Sequence, residues 1–277
     1  MAKMFNMFDP TREGKGVQKQ TVKKKRFFLF FEIVGRKFFK LCLLNILYLL
    51  CCIPVITIGP ATAGLMLVLR NMALERPTFV VHDFFEAFKK NFFKSLGAGI
   101  VLALAFAICG FAFNFYYGAY VDSSAGVNVG FFGMDSAFAS WFSGIAVVIA
   151  FVVLFSLMFI SYYVYLLIVT VDLPLKKVFK NAALLGLVGF KTNIITTLFV
   201  VLLCVVAFFG MLLAPINFFL GAFMVALLLF FLVAFIHFII AFNSYQYIKK
   251  YVTDPFYKER GEEIPDDPKE HESIFVD

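Results

Sequence analysis

The sequence predicts an all-α membrane protein, a polytopic bundle of about six transmembrane helices. Composition, the length of the apolar runs and the placement of the charges support this class. Of 277 residues, 62% are hydrophobic and 16% are charged, and the mean hydropathy is +0.89. A soluble domain is about 45–50% apolar and about 25% charged. The chain therefore has too little polar surface for a water-soluble domain.

The composition also excludes other classes of protein. Disordered chains need low hydrophobicity, and disulfide-stapled secreted domains need cysteines paired in polar loops. The five cysteines of this chain lie inside apolar runs, where a thiol behaves as a small hydrophobic group. None has the spacing of a zinc ligand. A net charge of +7 would suit nucleic acid, unless the charges serve another purpose.

Five apolar runs are long enough to cross a bilayer, which takes about 20 residues, and a sixth is marginal. In chain order, the runs cover residues 38–58, 60–72, 96–121, 138–171, 194–214 and 216–242. The N-terminus is basic but leads into a full-length run, so we expect no cleaved signal peptide.

The second run is the short one and follows a break in the first. Pro54 disfavours helix in the residue before it, and Pro60 suits the first turn of a new helix. Residues 60–75 would extend roughly 24 Å as a helix, against a hydrocarbon core of about 30 Å. This segment is either a tilted short span or a re-entrant piece covered by other helices.

The basic residues predict the topology. All 25 Lys and Arg fall within residues 3–40, 70–94, 176–191 and 249–269. Because cytoplasmic loops are enriched in Lys and Arg, each interval between these blocks should be a hairpin of two spans. Both termini are then cytoplasmic, and the charge surplus marks orientation and attraction to anionic lipid instead of nucleic acid. We predict a basic arm (1–30), a transmembrane bundle (31–250) and an acidic tail (251–277).

Two amphipathic helices are predicted between spans, on the cytoplasmic side. In the first, Asp83 and Glu86 form a capping pair, and phenylalanines occupy one helical face. Its candidate surface residues are Asp83, Phe84, Phe85, Phe88, Lys90 and Asn91. The second is predicted to begin at Asp172, with Val178, Phe179, Ala182 and Leu185 as its apolar face. Its candidate surface residues are Asp172, Lys176, Lys177 and Lys180.

These two helices indicate a weak internal repeat, because FKKN (88–91) is similar to FKN (179–181). Both lead directly into a span, an arrangement compatible with the duplications of transporter folds. Their polar faces have two alternative roles: docking a partner protein, or resting on anionic lipid.

Few residues inside the apolar runs could carry chemistry. His237 is the clearest ionisable candidate, and a lone histidine there more often bonds to a neighbouring helix than relays protons. Polar groups such as Asn45, Thr57 and Asn114 commonly join helices by hydrogen bonds. No Ser/His/Asp set and no Gly-rich phosphate loop is found. We therefore predict no enzymatic activity, no cofactor and no metal site.

Two segments carry a family resemblance. The first contains PVITIGPAT (54–62), and the second is DFFEAFKKNFF (83–93). Together they resemble the YesL-like family, integral membrane proteins of unknown function from Gram-positive bacteria. The motif positions taken from this resemblance and its surroundings are Asn45, Pro54, Thr57, Gly59, Pro60 and Thr62.

The resemblance implies a plasma-membrane protein encoded near carbohydrate-uptake genes, often with ABC-type sugar importers, and it carries no established catalytic residues. The leading expectation is a non-enzymatic accessory or scaffold protein for such an importer, embedded in the lipid bilayer. The alternative is a small-solute transporter or channel that uses the broken helix around Pro54 and Pro60. Asn45, Asn114 and His237 would then line its pathway.

Overall fold

The computed structural model describes residues 26–125, 136–212 and 218–261, and these residues contain α-helices and no strand. The helices are α1 (Arg26–Arg36), α2 (Phe38–Cys52), α3 (Ile58–Ala73), α4 (Val80–Lys90), α5 (Phe92–Ser124), α6 (Ser136–Thr170), α7 (Leu175–Val188), α8 (Phe190–Leu212), α9 (Phe218–Leu227), α10 (Val233–Ile248) and α11 (Asp254–Arg260). A 3₁₀ turn (Val55–Thr57) precedes α3, and π-helical segments (Leu228–Leu232 and Lys249–Thr253) flank α10. The predicted all-α class is confirmed.

Five helical segments within these residues are long and apolar enough to cross a membrane. They are Val55–Ala73, α5, α6, α8 and the continuous stretch Phe218–Arg260. The short apolar helix is α2, of 15 residues, so the run 38–58, predicted as a full span, is shorter than expected. Its helix ends at Cys52, because Pro54 has no backbone N–H to continue the helical bonding and is itself extended, with φ −77° and ψ 115°.

The described helices form three modules of the same design, where the sequence indicated two. Each module begins with an amphipathic helix (α1, α4 or α7), which leads through one junction residue into a hairpin of apolar helices. The predicted alignment of Asn91 with Asn181 does not hold. Asn91 is the junction after α4, whereas Asn181 lies in the middle of α7.

The three junction residues share one backbone conformation. Lys37 has φ −107° and ψ 17°, Asn91 has φ −105° and ψ 13°, and Gly189 has φ −83° and ψ 10°. At each junction the N–H bonds to the carbonyl four residues earlier, and the carbonyl accepts a bond from four residues later. At each junction the backbone thus departs from the helical ψ of about −42° at a single residue, and the N–H and carbonyl of that residue stay hydrogen-bonded.

The two ends of each hairpin meet at one end of the bundle, which we call the basic end. The bonds are Lys37 Nζ to Met72 O (3.3 Å), Lys94 Nζ to Asp172 Oδ1 (2.6 Å) and Thr192 Oγ1 with Tyr247 Oη (2.6 Å). Arg70 joins the modules there. It donates to Val169 O at 3.0 Å and lies 6.0 Å from the Tyr245 ring. This is the hairpin arrangement that the charge pattern predicted.

The helix α3 is the centre of the bundle. Of the apolar stretch that contains α3, 61% is buried, against 11–28% for the apolar stretches of the other candidate spans. Small residues permit this position. A Cβ on Gly59 would lie 2.5 Å from Ser95 O of α5, and a Cβ on Gly64 would lie 2.8 Å from Phe84 O of α4. Glycine lets both backbones approach closely, as in other membrane helix pairs.

The α2–α3 hairpin turns back near the beginning of α5. Gly59, at the start of α3, lies against Ser95 and Gly99, in the first two turns of α5. Beyond Gly99, α5 continues for 25 residues to Ser124, roughly 37 Å at 1.5 Å per residue. This geometry favours the re-entrant alternative that the sequence left open for residues 60–75.

Candidate functional site

The motif residues at the tip of the α2–α3 hairpin close the helix break. Thr57 Oγ1 lies 2.5 Å from Cys51 O and 2.6 Å from Pro54 O, so its one O–H is shared between two carbonyls beside the helix break. Pro60 lies in the first turn of α3, as predicted. The neighbouring side chains Ile53 and Val55 are apolar and exposed. Such a tip suits hydrocarbon, where backbone groups need partners within the protein.

Asn45 is fully buried and holds the π-helical segment Leu228–Leu232. Its Nδ2 donates to Leu228 O (3.1 Å) and Leu229 O (2.7 Å), and its Oδ1 accepts from Ala234 N (2.6 Å). A π-bulge disrupts the regular i to i−4 bonding of a helix. One side-chain amide therefore satisfies three backbone groups where the last span is irregular.

Thr62 and His237 also bond within the bundle. Thr62 Oγ1 donates to Ile58 O at 2.7 Å, and the Tyr48 hydroxyl lies 3.3 Å from Thr62 Oγ1. His237 Nδ1 donates to Val233 O at 2.8 Å, and its ring lies 5.7 Å from the Tyr48 ring.

The predicted pathway residues do not come together. Asn114 is exposed in the part of α5 that extends beyond the α2–α3 hairpin. Asn45 and His237 instead bond to the backbone of the last span. None of the three residues lines a cavity described below.

The amphipathic helix α4 differs from the prediction in two details. Asp83 does not cap the helix, which begins three residues earlier at Val80; its Oδ2 instead accepts a bond from the Phe79 N–H (3.1 Å). Phe84 is fully buried against Gly64 and Phe88 packs on the core, whereas Phe85 is exposed. Phe84 is therefore unavailable to a docking partner, because the close approach of α4 to α3 covers it.

The helix α7 likewise begins later than predicted. Its first residue is Leu175 after Pro174, and Asp172 lies in the preceding linker. Asp172 accepts a bond from Lys94 Nζ at 2.6 Å instead of capping the helix. The apolar face is as predicted, with Val178, Ala182 and Leu185 buried. The side chains of Lys176, Lys177 and Lys180 are exposed.

Two adjoining cavities at the basic end form the candidate site, which we call the basic-end cleft. Their volumes are about 500 Å³ and about 430 Å³, and both are lined by Arg70, Thr170, Val171 and Asp172. The larger cavity adds Lys90, Asn91 and Lys94, at and beside the junction of α4 and α5. The smaller cavity adds Arg76 and residues from the π-helical segment Lys249–Thr253 and from α11. The cleft thus joins polar groups from all three modules.

The sequence predicted three residues of this cleft, Lys90, Asn91 and Asp172, and did not assign Arg70 or Lys94 to it. Only packing reveals that Arg70 faces the end of α6, where it also lies 3.3 Å from Thr170 Oγ1. The cleft offers cationic and amide donors beside the carboxylates of Glu86 and Asp172. It can therefore bind a polar surface of mixed charge. Among the residues described, no His, Cys, Asp and Glu cluster could hold a metal ion.

The Lys94–Asp172 bond gives a pH-dependent prediction. The hydrogen bond and charge of Lys94 lower the pKa of Asp172 below its usual 3.8. A lowered pKa stabilises the fold above the unfolded-state value, and this contribution is lost as pH falls through the folded-state pKa. Asp172→Asn should therefore lower the melting temperature slightly at pH 7, and the difference from the wild type should shrink as the pH falls below 3.8. Thermal unfolding in detergent measures both, and Asp122→Asn, at the far end of α5, is the control. An equal difference at pH 7 and below pH 3.8 would contradict this role.

Comparison with protein families gives one match. A family model described as "Protein of unknown function, DUF624" matches residues 41–113. The match begins within α2, contains α3 and α4, and ends within α5. It therefore covers the buried centre of the bundle and part of the basic-end cleft. No curated protein and no solved structure matches the chain.

Proposed function

We propose that this protein is a non-enzymatic membrane accessory subunit that docks onto a partner complex through the basic-end cleft. The supporting observation is the cleft itself, which gathers Lys90 and Asn91 at the end of one amphipathic helix and Asp172 before another. These side chains surround an open cavity of about 500 Å³, within the range of binding pockets of about 300–1,000 Å³.

A docking role accounts for the polar groups better than solute transport does. Asn45, Thr57 and Thr62 donate or accept bonds inside the hairpin or to the last span. A transport pathway needs polar groups that are available to a solute or an ion. The basic end, by contrast, offers exposed charges, including Lys176 and Lys180.

The partner class comes from the resemblance to YesL-like proteins, which implies an ABC-type carbohydrate importer. We propose a plasma-membrane location with the basic end in the cytoplasm, because basic residues concentrate on the cytoplasmic side. The cleft would then face the side on which the ATPase subunits of an importer lie. The alternative role of the lysines is attraction to anionic lipid, at about 1 kcal/mol per basic residue near the surface.

Charge reversal in the cleft should separate these roles. In Lys90→Glu/Lys94→Glu, two lysines that line the larger cavity become acidic. We expect mild-detergent pull-down of the tagged, full-length variant to recover about one fifth or less of the importer subunits recovered with the wild type. Charges at the rim of an interface act largely on the association rate and its salt dependence. Added salt should therefore also lower the amount of importer that the wild type recovers.

A matched variant, Lys191→Glu/Lys250→Glu, changes the same net charge at exposed positions outside the cleft lining. It should recover the importer as the wild type does. Equal loss in both variants would assign the effect to general membrane electrostatics. Recovery of no importer subunit with the wild type, across several mild detergents, would contradict the proposed partner.

A further inference from the structure

Another cavity lies between α1, α8 and α10, and we call it the α1 groove. Its volume is about 320 Å³, and phenylalanine and isoleucine side chains from all three helices form most of its wall. Its polar lining consists of Arg26, Thr196 and Asn243. The α1 groove shares no lining residue with the basic-end cleft. It is thus a separate site, apolar with one cationic side chain.

The position of Arg26 is fixed by two contacts with one residue. Its Nη2 donates to Phe242 O at 2.5 Å, and its guanidinium lies 4.7 Å from the centre of the Phe242 ring. Guanidinium has five N–H donors, so further donors remain for an anion. Arg26 has no acidic partner among the residues that the structure describes. Beside it, Asn243 Nδ2 donates to Thr196 Oγ1 at 2.9 Å.

The surroundings of the α1 groove are those of a membrane interface. On α1, Phe27 is 68% exposed and Phe28 is 64% exposed, although the helix begins and ends with arginine. Such a helix lies in the interface with its apolar face among the acyl chains. On α8, Ile195 is 66% exposed and continues the groove wall toward lipid. An occupant would therefore meet a cation at one end and hydrocarbon-facing side chains at the other.

We propose that the α1 groove binds one anionic phospholipid, with its phosphate at Arg26 and an acyl chain along the phenylalanine wall. The complementarity of charge selects an anionic headgroup, and arginine is well suited to phosphate because its donors form a planar fork. The cavity holds part of the lipid, and the rest lies along the exposed face of α8. The bound lipid would join α1 to α8 and α10.

Native mass spectrometry of the full-length protein in a neutral detergent tests this proposal. Phosphatidylglycerol and phosphatidylcholine with identical acyl chains are added in equal amounts, and the one-lipid adducts are compared. We expect phosphatidylglycerol to be retained about fivefold over phosphatidylcholine, as one additional charge contact implies. Arg26→Gln should abolish the preference, and Arg26→Lys should keep part of it. The control Lys191→Gln, an exposed lysine outside the groove, should bind as the wild type does.

Other results would overturn the proposal. Equal retention of the two lipids by the wild type would remove the headgroup selectivity. If Arg26→Gln still preferred phosphatidylglycerol, the binding would be assigned to other basic residues, such as those in residues 1–25. Displacement of phosphatidylglycerol by equimolar glycerol phosphate would show a site for free anions. Circular dichroism of lipid-free variants checks that each is folded, and Arg26→Lys keeps the test decisive if Arg26→Gln does not fold.

Discussion

Gly59→Leu should leave almost no folded protein, and Gly59→Ala should destabilise the fold by about 3 kcal/mol, at the upper end of ordinary overpacking effects. A Cβ at this position would lie 2.5 Å from Ser95 O, 3.0 Å from Ser95 C and 3.2 Å from Leu96 Cα. All three atoms belong to the backbone of α5, so no rotamer change relieves the overlap. Relief requires α3 and α5 to move apart at the centre of the bundle.

Thermal unfolding in detergent, followed by circular dichroism, measures the effect. A loss of about 3 kcal/mol corresponds to a decrease in melting temperature of roughly 6–12 °C for a chain of this size. The matched control is Gly110→Ala in α5, where a Cβ meets nothing within 4 Å. It should be neutral or stabilising by up to about 1 kcal/mol, because alanine favours helix over glycine. Equal melting temperatures for the two variants would contradict the close contact of α3 and α5.

Asn45→Leu should produce the second large effect, a loss of about 3 kcal/mol. Leucine matches asparagine closely in size but cannot bond to Leu228 O, Leu229 O and the Ala234 N–H. Each buried group left without a partner is destabilising by about 1–3 kcal/mol, and membrane hydrogen bonds average about 0.6 kcal/mol. Three lost bonds give about 2 kcal/mol at the membrane average and about 3 kcal/mol at the lower end of the cost of unpaired groups, so we expect a total near the second value.

The control for this variant is Asn114→Leu, the same substitution at an exposed position on α5. It should change stability by less than about 0.5 kcal/mol, as surface substitutions usually do. Melting temperatures of both variants, measured in the same detergent, give the comparison. If Asn45→Leu melted with the wild type, the π-helical segment would not depend on the amide of Asn45.

The sequence predicts the features of this fold that depend on local pattern. The charge-free intervals predict the three hairpins, because basic residues avoid the interior of spans. Pro54 predicts the break after α2, and the apolar face of α7 follows from helical spacing. The motif glycine at residue 59 was also singled out, although its reason, the backbone of Ser95, lies on another helix.

Features that depend on distant contacts could not be predicted. Asn45 bonds to residues 183–189 positions away, and no local signal marks the π-helical segment that it holds. The basic-end cleft needs Arg70 to meet the end of α6, about 100 residues along the chain. The separate helix α1 was also hidden, because its phenylalanines continue into the next apolar run and Lys37 is an unremarkable residue at which to end a helix.

The shared form of the three modules also bears on how the chain enters the membrane and how it evolves. Each hairpin leaves the basic end and returns to it, so every module begins and ends on the same side of the bundle. The translocon can then insert one module as a complete unit, and the surface helix of that module is synthesised first. For the same reason, a gene segment that encodes one module could be gained or lost without inverting the others.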